Sequence, residues 1–267
     1  MNHPLRELLY AIENHPGRVK RTSEVMPLAP DVPTMSPYRT RWLLNQLVKD
    51  LGADEAYLEI GTWQGATLIS ALWDNPLARG YACDNFSQFN QIPGTGLWEG
   101  VRPAFLKNMA RYQETGRLGA FSFFDEDCFA LAARAKVPVK AKDGRPFGWP
   151  IGVFFYDGDH SRIATARAFV DFQPFLAREV IVIVDDWNYP SVRAGAWAGI
   201  EGVNPLGVWF RVLPAVRFRD ADGNGPKGGP IYGQDALDAE PNLVGSGGRD
   251  GGWRNGLGCF HLTLRKG

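Results

Sequence analysis

From residue 56 onward, short apolar runs alternate with helix-like stretches, and this rhythm predicts most of the fold. Five runs read as strands: AYLEIG (56–61), GYACD (80–84), AFSFFDED (120–127), IGVFFYDGD (151–159) and EVIVIVDDW (179–187). Each is followed by a turn and a segment of helical periodicity, the signature of repeated β-α-β units around a buried parallel sheet. Beyond Trp187 come VWFRVLPAVRFR (208–219), a Gly/Asp/Pro-rich stretch over about 220–256, and a closing run, GCFHLTLRK. The two outer runs predict a terminal hairpin. A connection of that length is usually a lid, a binding loop or disordered. The predicted class is α/β: a doubly wound sheet, mostly parallel with an antiparallel C-terminal strand, helices on both faces.

Residues 1–55 read differently. A helical pattern (LRELLYAIEN), a Pro-rich turn region (MPLAPDVPTMSP) and a second amphipathic stretch (RTRWLLNQLVKDLG) predict an N-terminal helical cap ahead of a main domain over 56–267, one structural domain overall. The cap covers the site or a partner subunit, or simply packs its apolar face on the sheet.

All five predicted strands end in acidic residues or in a Gly beside one, and in open parallel sheets ligands bind outside the carboxyl ends of the strands. The first strand leads through Leu58-Glu59-Ile60-Gly61-Thr62-Trp63-Gln64-Gly65 into a helix. Glycines at 61 and 65 allow a tight turn and close approach to a ligand. Their G-x-x-x-G spacing differs from the G-x-G-x-x-G of dinucleotide enzymes, which counts against a nicotinamide oxidoreductase. Asp84 ends the second strand, where a carboxylate can accept both hydroxyls of a ribose. Glu126, Asp127 and Cys128 end the third, where an adenine edge would lie.

The fourth and fifth strands end in Tyr156-Asp157-Gly158-Asp159-His160-Ser161 and Val184-Asp185-Asp186-Trp187-Asn188. Carboxylates brought together there repel, unless one takes a proton or a cation sits between them. A hard cation such as Mg2+, with its oxygen ligands, resolves the conflict. The competing explanation is that these acids cap the following helices, and that His160 is a structural residue at a helix start. Asp159 can orient His160, cap that helix or join a metal shell.

Composition narrows the partners. Lys+Arg and Asp+Glu both number 29, so no net field draws the chain toward nucleic acid. The three cysteines are odd in number and widely spaced, which predicts free thiols in a reducing compartment. The N-terminus lacks the pattern of a secretory signal, and no apolar run approaches the ~20 residues of a membrane helix, so a cytoplasmic location without membrane contact is expected. Trp98, Trp187, Trp197, Trp253, Tyr189 and Tyr232 fall in predicted loops, which favours a glycoside, aryl or polyketide ligand unless those loops fold back on the protein.

These motifs, over roughly 56–190, resemble the class I S-adenosylmethionine-dependent methyltransferases, whose first motif is acidic-x-Gly-x-x-x-Gly and whose fold is Rossmann-like. The resemblance implies that Glu59 and Gly61 border the methionine part of the cofactor, and that Thr62 and Gly65 also bind the cofactor. It assigns Asp84 to the ribose hydroxyls and Asp127 with Cys128 to the adenine, with Asn85 also cofactor-binding. The Asp157 to Asp185/Asp186 spacing is similar to that of metal-dependent O-methyltransferases of the catechol O-methyltransferase type. The wording D-G-D-H and D-D-W is closer to macrocin O-methyltransferase-like and cephalosporin-hydroxylase-like proteins. By that likeness Asp157, Asp185 and Asp186 hold Mg2+ or another divalent cation, Asp157 also borders the cofactor and the reacting groups, and His160 is the general base.

The implied reaction is methylation of a hydroxyl on a small-molecule natural product. The expected partner is that acceptor, with neither nucleic acid nor membrane; a homo-oligomer is compatible with the sequence. Two alternatives stay open: a metal-independent methyltransferase with His160 as base, and a non-catalytic cofactor-binding partner protein.

Overall fold

The computed structural model describes residues 7–8, 29–87, 100–136, 146–213 and 256–265. In chain order the elements are α1 (Tyr38–Lys49), β1 (Ala56–Ile60), α2 (Ala66–Leu72), β2 (Arg79–Cys83), α3 (Val101–Gln113), β3 (Ala120–Phe124), α4 (Cys128–Ala135), β4 (Ile151–Tyr156), α5 (Arg162–Phe172), β5 (Leu176–Val184), α6 (Pro190–Val203), β6 (Gly207–Leu213) and β7 (Leu257–Thr263). They form a seven-stranded sheet in the order β3-β2-β1-β4-β5-β7-β6. The first five strands pair in parallel, and β7 runs antiparallel between β5 and β6. This is the predicted architecture, including the terminal hairpin. The chain starts at β1, runs outward to β3 and returns to β4 on the other side of β1, so the order reverses between β1 and β4. A crevice opens at such a switch point.

The near-continuous apolar runs follow from burial on both faces. Tyr57, Val153, Phe155, Ile181 and Ile183 pack beneath α1, α2 and α3. Their neighbours Leu58, Ile60, Phe154, Val182 and Val184 pack beneath α4, α5 and α6. Helix α1 belongs to the first of these cores: Leu43, Leu44 and Leu47 are buried in it. Asn45 Nδ2 donates to the carbonyls of Ser70 and Trp73, both at 2.8 Å. The second predicted stretch of the N-terminal cap is therefore part of the sheet's packing. Of the first stretch, LRELLYAIEN, only Glu7 and Leu8 are described, both helical. The Gly/Asp/Pro-rich stretch 220–256 lies outside the described residues except for Gly256, as do Trp98, Tyr232 and Trp253.

The five parallel strands end at Ile60, Cys83, Phe124, Tyr156 and Val184, one to three residues earlier than the apolar runs suggest. The acids that follow β2 to β5 thus stand in loops, whereas Glu59 stays on β1. One more backbone bond per strand pair carries the ladder into those loops: Gly61 N–H to Cys83, Asp84 N–H to Phe124, Asp157 N–H to Ile60 and Asp185 N–H to Tyr156, at 2.9–3.2 Å. These bonds fix the backbone of each acid relative to its neighbour.

Candidate active site

Beyond those ladder ends lies a cleft of ≈ 600 Å³ that all five parallel strands border. Gly61 turns the chain out of β1 with φ +84°. A Cβ there would stand 2.0 Å from the carbonyl oxygen of Asp157, so only glycine lets β1 and β4 end side by side at the cleft floor.

On one side of that turn, polar groups are engaged mainly by backbone. Asp84 Oδ2 accepts the N–H groups of Thr62 (2.8 Å) and Trp63 (2.9 Å), and Oδ1 accepts that of Phe86 (2.7 Å). One carboxylate thus pins the glycine turn and its own loop while facing the cleft. It also secures two bulky residues in left-handed backbone, Trp63 (φ +45°) and Phe86 (φ +51°), a conformation that side chains disfavour. Asp127 caps α4, its Oδ1 accepting from Phe129 N–H and Ala130 N–H, and also lines the cleft beside Cys128. Burial, with the Asp127 charge next, pushes the Cys128 thiol up to about 12, so it stays neutral. Asn85 lines the cleft, with Oδ1 accepting from the backbone and hydroxyl of Ser87.

Three residues expected at the cofactor do not reach the cleft. Glu59 is fully buried on the α1–α3 side of β1, where Tyr57 Oη and Thr67 Oγ1 each donate to its carboxylate at 2.6 Å. The alternation of β1 puts Glu59 on the same face as Tyr57, beneath α2, and Ile60 on the other. Burial pushes its carboxyl up to about 7, against the two hydrogen bonds that lower it. Thr62 contributes its backbone N–H to Asp84, with its side chain buried. Gly65, at φ +89°, starts α2, and a Cβ there would press on Phe105 and Met109 of α3 at 3.2 Å. Its glycine serves helix packing.

On the other side of Gly61, charged side chains face one another. Asp157, His160 and Asp186 each offer a ligand atom within 4.8 Å of the others, the single such group among the described residues. His160 Nε2 stands 2.7 Å from Asp186 Oδ2. Burial works against a charged imidazole, but the hydrogen bond and charge of Asp186, reinforced by Asp185 and Asp159, outweigh it and raise the His160 pKa. Asp186 is only 8% exposed and takes φ +54°. Asp185 lines the same cleft, but its Oδ1 accepts the Asp186 N–H at 2.8 Å and it stands outside the three-membered group. The group thus holds two of the three aspartates expected at a cation, with His160 beside them and Asp185 adjoining. Asp159 turns to the helix start: its Oδ1 accepts from Ser161 N–H, and Ser161 caps α5 through Ala164 N–H.

The cleft wall also includes residues that the motifs do not announce: Met35 and Ser36 ahead of α1, Trp63, Phe86, Val101 and Phe129. Of the aromatic residues expected to cover a ligand, Tyr189 does line the cleft, its ring centroid 5.3 Å from that of His160. Trp187 is buried against Phe210 and Phe260. Trp197 lies on α6 and packs edge-on against the same two rings.

A doubly wound sheet with a cleft at its switch point, an acidic residue after each of β2 to β5 and a glycine turn after β1 is the arrangement in which open α/β sheets bind their ligands. Residues 58–187, from β1 to the loop after β5, match the family model for a methyltransferase domain. Over that segment, just under half of its length, the chain carries a methyltransferase domain. No curated protein matches the sequence.

Solved structures of similar shape include an O-methyltransferase from Bacillus cereus in complex with SAH, at 15% identity and TM-score 0.48, with 95% of this chain and 96% of that chain covered. Another is CalS11, a TDP-rhamnose 3'-O-methyltransferase of calicheamicin biosynthesis, at 18%, TM-score 0.44 and 80% and 92% coverage. A precorrin-6y C5,15-methyltransferase from Geobacter metallireducens stands at 11%, TM-score 0.45 and 84% and 87%. Likeness at this level selects no acceptor.

Proposed function

We propose that the protein methylates a hydroxyl of a small-molecule natural product of sugar, aryl or polyketide type, assisted by a divalent cation such as Mg2+. The observation that carries this reading is the meeting of Asp157, His160 and Asp186 at one end of the cleft. The donor set fits a cation: the carboxylate oxygens of Asp157 and Asp186, with Asp186 nearly out of water, Asp185 adjoining, and His160 beside them as a base. When bound, the cation would polarise the acceptor hydroxyl and stabilise its oxyanion.

The residues divide the remaining work. With Nε2 directed at Asp186, Nδ1 of His160 is the nitrogen left to take the acceptor's proton. S-adenosylmethionine, when bound, would supply a methyl group already activated on a sulfonium, and the cleft residues would hold the deprotonated hydroxyl in line with it. Tyr189 flanks the imidazole and walls the acceptor side. Asp84 and Asn85 would receive the ribose, and Asp127 with Cys128 the adenine, while Gly61 lets the cofactor approach the β1 end. Such alignment accounts for much of the rate when the group transferred is already activated.

A metal-independent route with His160 as base draws support from the same 2.7 Å His160–Asp186 contact, which resembles an oriented base pair of side chains. Three free cysteines, two of them buried, favour the cytoplasm, and no helix among the described residues is long and apolar enough to cross a membrane. Zero net charge argues against a nucleic-acid substrate.

The test is methyl transfer to a panel of glycosides, phenols and polyketide alcohols, with and without EDTA. Chelation should abolish transfer, added Mg2+ should restore it, and binding of S-adenosylmethionine should change little. Full turnover in EDTA would leave the His160 route in its place.

A further inference from the structure

We infer that Arg193 is a positioning residue for the catalytic loop, holding Asp186 in the backbone conformation that the cation site needs; this rests on the metal-assisted reading above. Asp186 is a non-glycine residue at φ +54°, a conformation that surrounding contacts must sustain. Four sets of contacts do so. Asp186 N–H is taken by Asp185 Oδ1 at 2.8 Å. Tyr189 N–H donates to the Asp186 carbonyl at 2.9 Å, and Trp187 N–H to the Gly256 carbonyl at 3.1 Å. Finally, Nη1 of Arg193 donates to the carbonyls of Trp187 (2.7 Å) and Asn188 (2.8 Å).

The Arg193 contact differs from the rest in its origin. Arg193 stands in the first turn of α6, its own N–H bonded to the Tyr189 carbonyl, and its side chain reaches back over the helix start. An arginine is ordinarily directed to a carboxylate, yet among the described residues this one makes no ion pair. It ties two successive carbonyls next to Asp186 to the rigid α6, which is buried against the sheet along Val192, Ala196 and Ile200. The indole of Trp187 closes the loop from the other side: a Cβ on Gly258 would stand 2.3 Å from its ring. Through Asp186 Oδ2 the same support reaches His160 Nε2. Without Arg193, two carbonyls lose a charged donor, and Asp186 loses the restraint that keeps its carboxylate toward Asp157.

Because one nitrogen serves both carbonyls, lysine can replace it, which sets up a discriminating experiment on the full chain. Mn2+ binding is measured by electron paramagnetic resonance for the wild type, Arg193→Met and Arg193→Lys, together with S-adenosylmethionine affinity and thermal midpoint without metal. The expected result is a loss of Mn2+ affinity of about tenfold or more in Arg193→Met, recovery to within about threefold in Arg193→Lys, and unchanged cofactor affinity in both. Wild-type Mn2+ affinity in Arg193→Met would overturn the inference, as would equal loss of cofactor and Mn2+ binding in both variants. If the wild type binds no Mn2+, the metal reading fails on its own. Arg193 is then judged by transfer kinetics: lowered kcat with unchanged KM for cofactor in Arg193→Met, restored in Arg193→Lys, sustains its positioning role, and an unchanged kcat overturns it.

Discussion

The two halves of the cleft, on either side of Gly61, hold their acids in opposite ways. Toward β2 and β3, Asp84 and Asp127 accept five backbone N–H bonds between them. Each carboxylate is part of the fold before any ligand arrives. Toward β4 and β5, Asp157 and Asp186 face each other and His160, so their balance depends on a proton or a cation. A fold-engaged acid presents a fixed acceptor edge, which suits recognition of hydroxyls and amino groups. A side-chain cluster whose charge balance can change suits chemistry. The difference also separates what mutation should do: stability and binding on the first side, turnover on the second.

The largest expected effect is on the chemical side. Asp186→Ala removes a member of the cluster and the partner of His160, and methyl transfer should fall by about 10²- to 10³-fold, the several kcal/mol that a Lewis acid contributes. Cofactor affinity, measured by calorimetry, should stay within about threefold. If instead cofactor binding collapses while turnover at saturation survives, the division between the halves is wrong.

Next comes a stability effect beneath the nucleotide side. Glu59 has an ordinary pKa of 4.5 in the unfolded chain and about 7 in the fold. Between those values the folded form binds more protons, so this residue's contribution to stability falls as pH rises from 4.5 to 7, and the loss is complete above 7. The full difference is about 3 kcal/mol. Glu59→Gln lacks this titration, so its stability relative to the wild type, from urea midpoints, should improve by roughly that amount between acid pH and pH 8. Parallel pH profiles for the two proteins would remove the buried-acid account. A large loss of cofactor affinity in Glu59→Gln would return the residue to the cofactor.

The architecture was legible because burial on both faces writes itself as uninterrupted apolar runs, VFFY and VIVIV among them, and the strand-end rule then locates the cleft. The residues at its two ends were legible for the same reason: Asp84, Asp127, Asp157 and Asp186 each follow a strand. What was not legible depended on side-chain direction and loop geometry. Glu59 stands one residue before the strand end, and period-two alternation turns it under α2. Gly65 carries a glycine's mark but packs on α3, a contact set by an element some forty residues on. Asp186 takes left-handed backbone beside its contact with His160, and nothing in Asp-Asp-Trp foretells that. Arg193 and Met35 carry no motif; their roles arise from where α6 and the segment before α1 happen to start.

The smallest expected effect tests whether an acid engaged by the fold can also read a ligand. Asp127 caps α4 and lines the cleft, so an alanine variant would lose both functions at once and could not separate them. Asp127→Ser can. Serine is as good an N-cap as aspartate, and its hydroxyl can accept the same N–H groups, so the thermal midpoint should stay near that of the wild type, with α4 intact. The serine side chain is shorter and uncharged, and its oxygen is occupied by the cap. If Asp127 accepts a hydrogen bond from the adenine amino group through its second oxygen, affinity for S-adenosylmethionine should drop by about three- to tenfold, the worth of roughly one hydrogen bond. Affinity for an analogue lacking that amino group should be the same in both proteins. Equal affinities for S-adenosylmethionine itself would confine Asp127 to the helix cap and leave Cys128 and Phe129 to contact the base.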